Sequence, residues 1–441
     1  MSVFVPYVIM EFFGSMTSRY DFVTLTEKLS VNITLLESAV KFIYCYMRRR
    51  QLADLLGVFE ENFLLCMQQN RATNLKILEN YAKNLTGNIN LFIIIIYATV
   101  GLWNSLPILS CFQESSCVTL QIMPSWYPIS IDQAPIKQLV YLLEFVIMCY
   151  CASLLYSVNC LILAFARMIS SQVEILKLSM TSLAQNAAKT VYSQNANNSV
   201  YSQNAANSVY AQNAAKTVPG NKNDHDFEVS EIYGNKDDHN LEVSEIYGSM
   251  DNHTLMNGDL LRSDYHIEES EILYRRYQKR VDDLQRDCLI DYQRILSQAA
   301  LMEQTFSPLI LFQLAVSTIT LCLVLISLTT KTAANSTISL TLGCKFSMYL
   351  IFGLMDLFVY SWCGHIIQDQ TGSLHGSLYE MAWLSNSPKF KKNVLQAMTR
   401  ALRPCRLTAG KFYPVDFKTF AGVLKMSYSM FTFLYGSGLK K

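Results

Sequence analysis

Three stretches of this chain carry no charged residue: between Lys83 and Glu114, between Glu144 and Arg167, and between Glu303 and Lys331. Each is long enough for the roughly 20 residues that a helix needs to cross the hydrocarbon core of a bilayer. Backbone polar groups in hydrocarbon must bond to one another, so segments of this kind cross as helices. The composition agrees with that reading. Charged residues make up 16% of the chain, against roughly 25% in a soluble domain. A net charge of +1 gives no electrostatic footing for nucleic acid. The expected fold class is an all-α integral membrane protein.

Four weaker spans bring the expected number of transmembrane helices to seven. Residues 3–16 are apolar but short, and begin almost at Met1. No basic stretch precedes them and no small-residue cleavage site follows, so no cleavable signal is read there. Residues 22–47 contain Glu27, Lys28, Glu37 and Lys41, residues 337–363 contain Lys345 and Asp356, and residues 415–435 contain Asp416, Lys418 and Lys425. Ionisable groups inside a span are costly against lipid, so these are expected to face protein or a water-filled path.

Lys and Arg collect on the cytoplasmic side of spans, above all in short loops. The second span is followed by Arg48, Arg49 and Arg50, the fourth by Arg167 and Lys177, and the sixth by Lys389, Lys391, Lys392, Arg400, Arg403, Arg406 and Lys411. The alternate loops are poor in basic residues. The amino terminus is therefore expected in the cytoplasm and the carboxyl terminus outside, the reverse of a metabotropic seven-helix receptor. Asn335, in the sequon of the third outer loop, is the glycosylation candidate that this topology allows. The sequons at Asn197 and Asn252 fall in the long inner loop and are expected to stay bare. Cys111 and Cys117 share the second outer loop and are the candidate disulfide, the alternative being two free thiols.

The long inner loop is built of repeats. Residues 184–219 hold four nine-residue units, "AQNAAKTVY", "SQNANNSVY", "SQNAANSVY" and "AQNAAKTVP", followed by two fourteen-residue units at 223–250 and a decayed third. Such periods fit no helical solenoid unit, and the polar composition offers too little apolar surface to offset ordering. Residues 184–260 are expected to be disordered. The second repeat spaces His225, His239 and His253 fourteen residues apart, which duplication explains without a metal. From residue 268, Val281, Leu284, Cys288, Tyr292 and Ile295 recur at helical spacing among charges, the mark of an amphipathic helix with one buried stripe. The expected division is 1–180 for helices one to four, 181–265 for the disordered insertion, and 266–441 for cytoplasmic anchor helices and helices five to seven.

Four stretches, "RILSQAALMEQTFSPLILFQLAVSTITLCLVL" (294–325), "YSWCGHII" (360–367), "YEMAWL" (379–384) and "RPCRLTAGKFYPVDFKTFAGVLKMSYSMFTFL" (403–434), together resemble the insect odorant receptors. Their order, spacing and inverted topology fit as well. The resemblance covers 270–436 well, 20–180 moderately, and the repeats not at all. It implies an odorant-binding, ligand-gated non-selective cation channel subunit, assembled as a heterotetramer with an odorant co-receptor in the plasma membrane of olfactory neurons. It also implies an odorant pocket in the outer half of each subunit and a pore lined by the last helix, 415–436. A pore-lining helix needs no lipid-compatible face all round, so Lys418 and Lys425 near its inner end are acceptable there. Further out, Met430 and Leu434 share a face and are the gate candidates, since bulky apolar side chains close pores by dewetting. The chain departs from the family in its short start, in Tyr292 where His is common, and in the repeat insertion.

An odorant pocket is expected to be apolar and aromatic with few polar groups. The outer halves of the second, third, fourth and sixth helices offer Phe22, Val100, Trp103, Tyr141, Phe145, Met148, Phe346 and Tyr349. Ordinary core or lipid-facing packing is the alternative for each. The competing functions are a gustatory-type channel, whose usual closing aromatic-Gln-Phe motif is absent, a metabotropic receptor, disfavoured by topology, and a transporter, whose internal symmetry is not apparent. No zinc-protease motif, phosphate-binding glycine loop or serine elbow argues for an enzyme. His365 and Asp369 read as a solvated helix end. No cofactor is expected; the expected partners are a volatile odorant, the co-receptor and the bilayer.

Overall fold

The charge-free stretches fold as the middles of very long helices. The computed structural model describes residues 4–17, 22–66, 71–113, 127, 136–195, 259–333, 340–381 and 387–438. The elements in order are α1 (Phe4–Thr17), α2 (Phe22–Met47), α3 (Arg49–Cys66), α4 (Arg71–Gln113), α5 (Ile136–Thr181), α6 (183–195), α7 (Asp259–Ala333), α8 (Leu340–Glu380), α9 (Pro388–Ala401), the strands β1 (Thr408–Ala409) and β2 (Tyr413–Pro414), and α10 (Phe417–Gly438). Among the described residues, four helices are long and apolar enough to cross a membrane, within α4, α5, α7 and α8. At 1.5 Å per residue the 43-residue α4 runs to about 65 Å, twice the thickness of a hydrocarbon core. By the same rise the 14-residue α1 reaches only about 21 Å.

The chain forms two compact units, one of residues Met1–Thr181 with Arg286–Lys441, the other of Ser182–Gln285. In the second unit the expectation of disorder from residue 184 is corrected at its start. The first nine-residue repeat is helical, with Leu183, Ala187 and Val191 buried one turn apart. Alanine suits that helix, and the Thr190 hydroxyl is satisfied within it, donating to the Asn186 carbonyl at 2.8 Å. The remaining repeats, with Asn197, His225, His239, Asn252 and His253, lie outside the described residues, as do Cys117 and Asn335. Cys111 falls within α4, its side chain undescribed.

The core of the first unit lies between α5, α8, α4, α2 and the second half of α7. The α5 face Leu155, Val158, Ile162, Ala166, Ile169, Val173 repeats at three and four residues and is nearly inaccessible. A ring column ties three elements: Phe59 of α3 lies 4.9 Å from Phe165 of α5, which lies 6.0 Å from Phe306 of α7. The opposite faces carry exposed Leu91, Ile94, Leu139 and Leu142. Apolar side chains on the outside are what lipid accepts. The amphipathic stripe on α7 is present, with Val281, Cys288, Tyr292 and Ile295 buried and Leu284 half-buried.

Pro308 interrupts α7, removing one amide donor from the ladder. The carbonyls beside it hold other elements: Tyr44 of α2 donates to the Thr305 carbonyl at 2.5 Å, and the Gly410 amide donates to that of Ser307 at 3.0 Å. Three residues join the paired Ala409 and Tyr413; the Phe412 amide donates to the Ala409 carbonyl at 3.1 Å, and the two residues inside that turn, Gly410 and Lys411, have positive φ, 61° and 65°. The Lys411 amide donates to Ser307 Oγ at 3.0 Å, and Thr408 Oγ1 bonds Glu303. The hairpin is thus fastened to α7 just before α10 begins. A Cβ at Gly410 would stand 2.6 Å from the end of Leu311 and in a left-handed conformation. Gly410→Ala is expected to destabilise the protein by about 1–2 kcal/mol, read as a lower melting temperature of the purified chain. Adding Leu311→Ala is expected to return part of the loss, the part owed to the clash.

The α10 helix leaves this anchorage along α8. Phe417 packs on Phe358 at 5.9 Å and on His365 at 4.7 Å. Beyond that start, Met426, Tyr428 and Phe433 stand 59, 62 and 75% exposed. Lys418 and Lys425 are exposed, as are His365 and Asp369 on α8.

Candidate ligand-binding site

Helical spacing brings four elements around one cavity. From α2 come Val31, Thr34 and Leu35, from α4 Thr99, Val100 and Trp103, from α5 Met148, Cys151, Ala152 and Leu155, and from α8 Met348, Tyr349 and Phe352. On each helix these positions are three, four or seven apart, or adjacent, so they share the inward face. The cavity measures about 70 Å³, several times the ~10–15 Å³ that one water needs on the same measure. Its wall is almost wholly apolar. The rings of Trp103 and Tyr349 stand 5.6 Å apart at 45°. The Tyr349 hydroxyl is turned away to α2, donating to the Ser30 carbonyl at 2.7 Å and bonded to Thr34 Oγ1. Thr99 donates to the Ile95 carbonyl at 2.7 Å. Thr34, Thr99 and Tyr349 therefore direct their hydroxyls to backbone carbonyls and present hydrocarbon inward.

A tier of packing closes the cavity at the end nearer α1. Tyr7 and Val8 of α1 join Val31, Leu35, Ala39, Trp103, Ile147 and Cys151 in one cluster, with Tyr127, Tyr141 and Tyr150 against it. Tyr141 donates to the Asn104 carbonyl at 2.6 Å, and Tyr127 to the fully buried Glu144 at 3.0 Å.

Among the sequence candidates, Val100, Trp103, Met148 and Tyr349 are wall residues, and Tyr141 sits in the closing tier. Phe346 is buried one turn before Tyr349 but does not line the cavity, and Phe145 is 39% exposed beside the buried Glu144. Phe22 starts α2, its side chain undescribed. Val31, Thr34, Leu35, Thr99, Cys151, Ala152, Leu155, Met348 and Phe352 complete the wall and are not among the sequence candidates. Their helical registration with the named residues, 148–151–152–155 above all, is the signal that the sequence carries for them.

A second cavity of about 30 Å³ continues beyond Thr99, Leu155 and Phe352, which belong to both walls. Asn159 of α5 and Asp356 of α8 line it. Asp356 belongs to a buried charge cluster. Lys41 of α2, wholly inaccessible, stands 2.8 Å from Glu37 and 3.7 Å from Asp356, with its ammonium 5.5 Å from the centre of the Tyr360 ring. Asn159 Nδ2 and Gln313 Nε2 of α7 both donate to the Asp356 carboxylate, and Gln313 also reaches Ser317 Oγ at 3.1 Å. The expectation that ionisable groups in the weaker spans face protein holds for these three residues.

The whole helical arrangement resembles solved structures. The insect olfactory receptor OR5 from Machilis hrabei, in complex with eugenol, superposes with a TM-score of 0.66 at 12% identity, covering 99% of this chain and 87% of that one. The same receptor in a second structure gives 0.65. In sequence the chain is 31% identical to odorant receptor 2a of Drosophila melanogaster over 80 residues, 18% of this chain and 20% of that receptor. It is 24% identical to odorant receptor 83a of the same fly over 147 residues, 33% of this chain and 32% of that one. These matches therefore span a fifth to a third of the relatives' length, and the relatives are receptors, not enzymes. The family model described as 7tm odorant receptor matches residues 21–428, almost the full chain. This chain is a member of the 7tm odorant receptor family.

Proposed function

We propose that the chain is the odorant-binding subunit of a ligand-gated, non-selective cation channel in the plasma membrane of olfactory neurons, working as a heterotetramer with an odorant co-receptor. The observation that carries the reading is the apolar cavity lined by α2, α4, α5 and α8, of a character that suits a volatile molecule. Family membership supports it. The basic loops argue for an amino terminus inside and a carboxyl terminus, with Asn335, outside. Val100, Trp103, Met148 and Tyr349 then touch the odorant, and the closing tier with Tyr141 lies toward the outer surface. Residues 1–180 supply most of the pocket, and 266–441 supply the anchor helices and the pore helix. Met430 and Leu434, 37 and 41% exposed on α10, line the pore as its gate.

The test is whole-cell recording from cells that co-express the chain and an odorant co-receptor, challenged with a broad odorant panel. Ligand-evoked cation current that needs both subunits and no G protein is the expected result. Ala152, at the cavity wall, supplies the structural control. Ala152→Leu is expected to cut odorant sensitivity at least tenfold at unchanged surface level, because the added carbons occupy ligand space. Current that requires a G protein, from chain present at the surface, would overturn the channel reading.

A further inference from the structure

We propose that the second cavity is a polar subsite for the head group of a primary amine, the ammonium seated against Asp356 and Asn159 while the apolar body fills the first cavity. The proposal rests on the odorant-binding reading and names the ligand class. It starts from which hydrogen-bonding capacity is left over. Tyr156, on the cavity wall, donates to the Ile89 carbonyl at 2.6 Å, and Thr99 donates to that of Ile95. Asn159 Nδ2 donates to Asp356. The hydroxyl protons of Thr99 and Tyr156 are thus taken up by backbone carbonyls, and one of the two amide protons of Asn159 by Asp356.

Acceptors are left over. Asn159 is 8% exposed and its Oδ1 has no hydrogen-bond partner. The Asp356 carboxylate receives Asn159, Gln313 and, at 3.7 Å, Lys41, while an ionised carboxylate has about four lone-pair sites. A buried acceptor without a donor costs stability, so the group that fits here is a donor.

The charge count selects which donor. Around Asp356 stand Glu37 and Lys41 from α2, Asn159 from α5, Gln313 from α7 and Tyr360 from α8. Two carboxylates face one ammonium, so with both ionised the cluster is one cation short. An unpaired charge in a low-dielectric interior is expensive, and a second cation offsets it. A cavity of about 30 Å³ has room for roughly two water-sized groups, which suits an ammonium with its first methylene. Thr99, Leu155 and Phe352, common to both walls, place this head group one helical turn or so from the apolar body.

The test measures binding to the full chain purified into phosphatidylcholine nanodiscs, read as the rise in melting temperature with ligand concentration at pH 7. The probes are 1-hexylamine and hexyl methyl ether, which share a chain but differ in charge and donors. Hexylamine is expected to act saturably at least tenfold below the concentration the ether needs. Asp356→Asn keeps the size of the side chain and is expected to bring the two ligands within twofold. Should that variant fail to fold, Asn159→Leu, which removes the free acceptor and fills the space, is expected to do the same. Equal half-maximal concentrations in the wild-type chain, or an amine preference that survives in a folded variant, would overturn the proposal. Its failure is distinct from failure of the channel reading. Currents evoked by other odorants without amine preference overturn the subsite alone, and amine-selective binding without any odorant current overturns the channel alone.

Discussion

Replacing Gly364 by alanine is expected to remove at least nine-tenths of the odorant-evoked current. A Cβ at that position in α8 would stand 1.8 Å from the Val415 carbonyl oxygen, 2.8 Å from its carbon and 3.3 Å from its Cβ. The obstacle is backbone, so no side-chain rotation relieves it. Val415 cannot retreat freely, because its amide donates to the Leu407 carbonyl at 2.8 Å and the hairpin between them is fastened to Ser307 and Glu303. Something larger must give. Overpacking typically costs about 1–3 kcal/mol where side chains can adjust, and here the entry to α10 has to move away from α8. Gly376, on the same helix, is the control, because a Cβ added there would meet nothing within 4 Å. Gly376→Ala is expected to keep full current and to raise the melting temperature slightly, since alanine is the better helix former by about 1 kcal/mol. Wild-type current and surface level in Gly364→Ala would mean that α8 and the start of α10 do not approach this closely.

The second large effect is expected at Lys41. Lys41→Met leaves the Glu37 and Asp356 carboxylates buried without a counter-charge, a loss of about 3–5 kcal/mol by analogy with other broken buried pairs. Surface expression is expected to fall tenfold or more. Adding Glu37→Gln to Lys41→Met takes away one of the stranded charges and is expected to recover much of the surface level and melting temperature. The two substitutions are then non-additive, as groups in one network are. A single Lys41→Met chain as stable as wild type would show that the ammonium contributes nothing to the cluster.

How much of this was legible in the sequence follows from what each feature depends on. The absence of charge over 84–113, 145–166 and 304–330 is a local property, and it locates α4, α5 and the second half of α7 without any knowledge of packing. The stripe from Val281 to Ile295 is local too. The meeting of Lys41 with Asp356 is not, because α2 and α8 come from opposite ends of the chain and only their packing joins them. The sequence did show that the ionisable residues of the weak spans needed protein or water around them; it did not show that Glu37, Lys41 and Asp356 were one another's partners. The cavity divides the same way. Large amphipathic residues such as Trp103 and Tyr349 draw attention by chemistry, whereas Ala152 and Leu155 differ from any other aliphatic residue only by the rotation of α5. That rotation also puts Phe145 at the surface. The helical first repeat was hidden for a third reason: its polar composition reads as disorder, yet Leu183, Ala187 and Val191 suffice to bury one face.

That short buried face has a consequence for the gene. An α-helix turns once in 3.6 residues, so a nine-residue unit advances about two and a half turns. A helix carried through a second unit would turn the residues that match Ala187 and Val191 to the opposite side, away from the surface that holds the first. Copies added to that same helix would therefore not lengthen the packed stripe. A change in copy number would then leave the packed face of the first unit as it is.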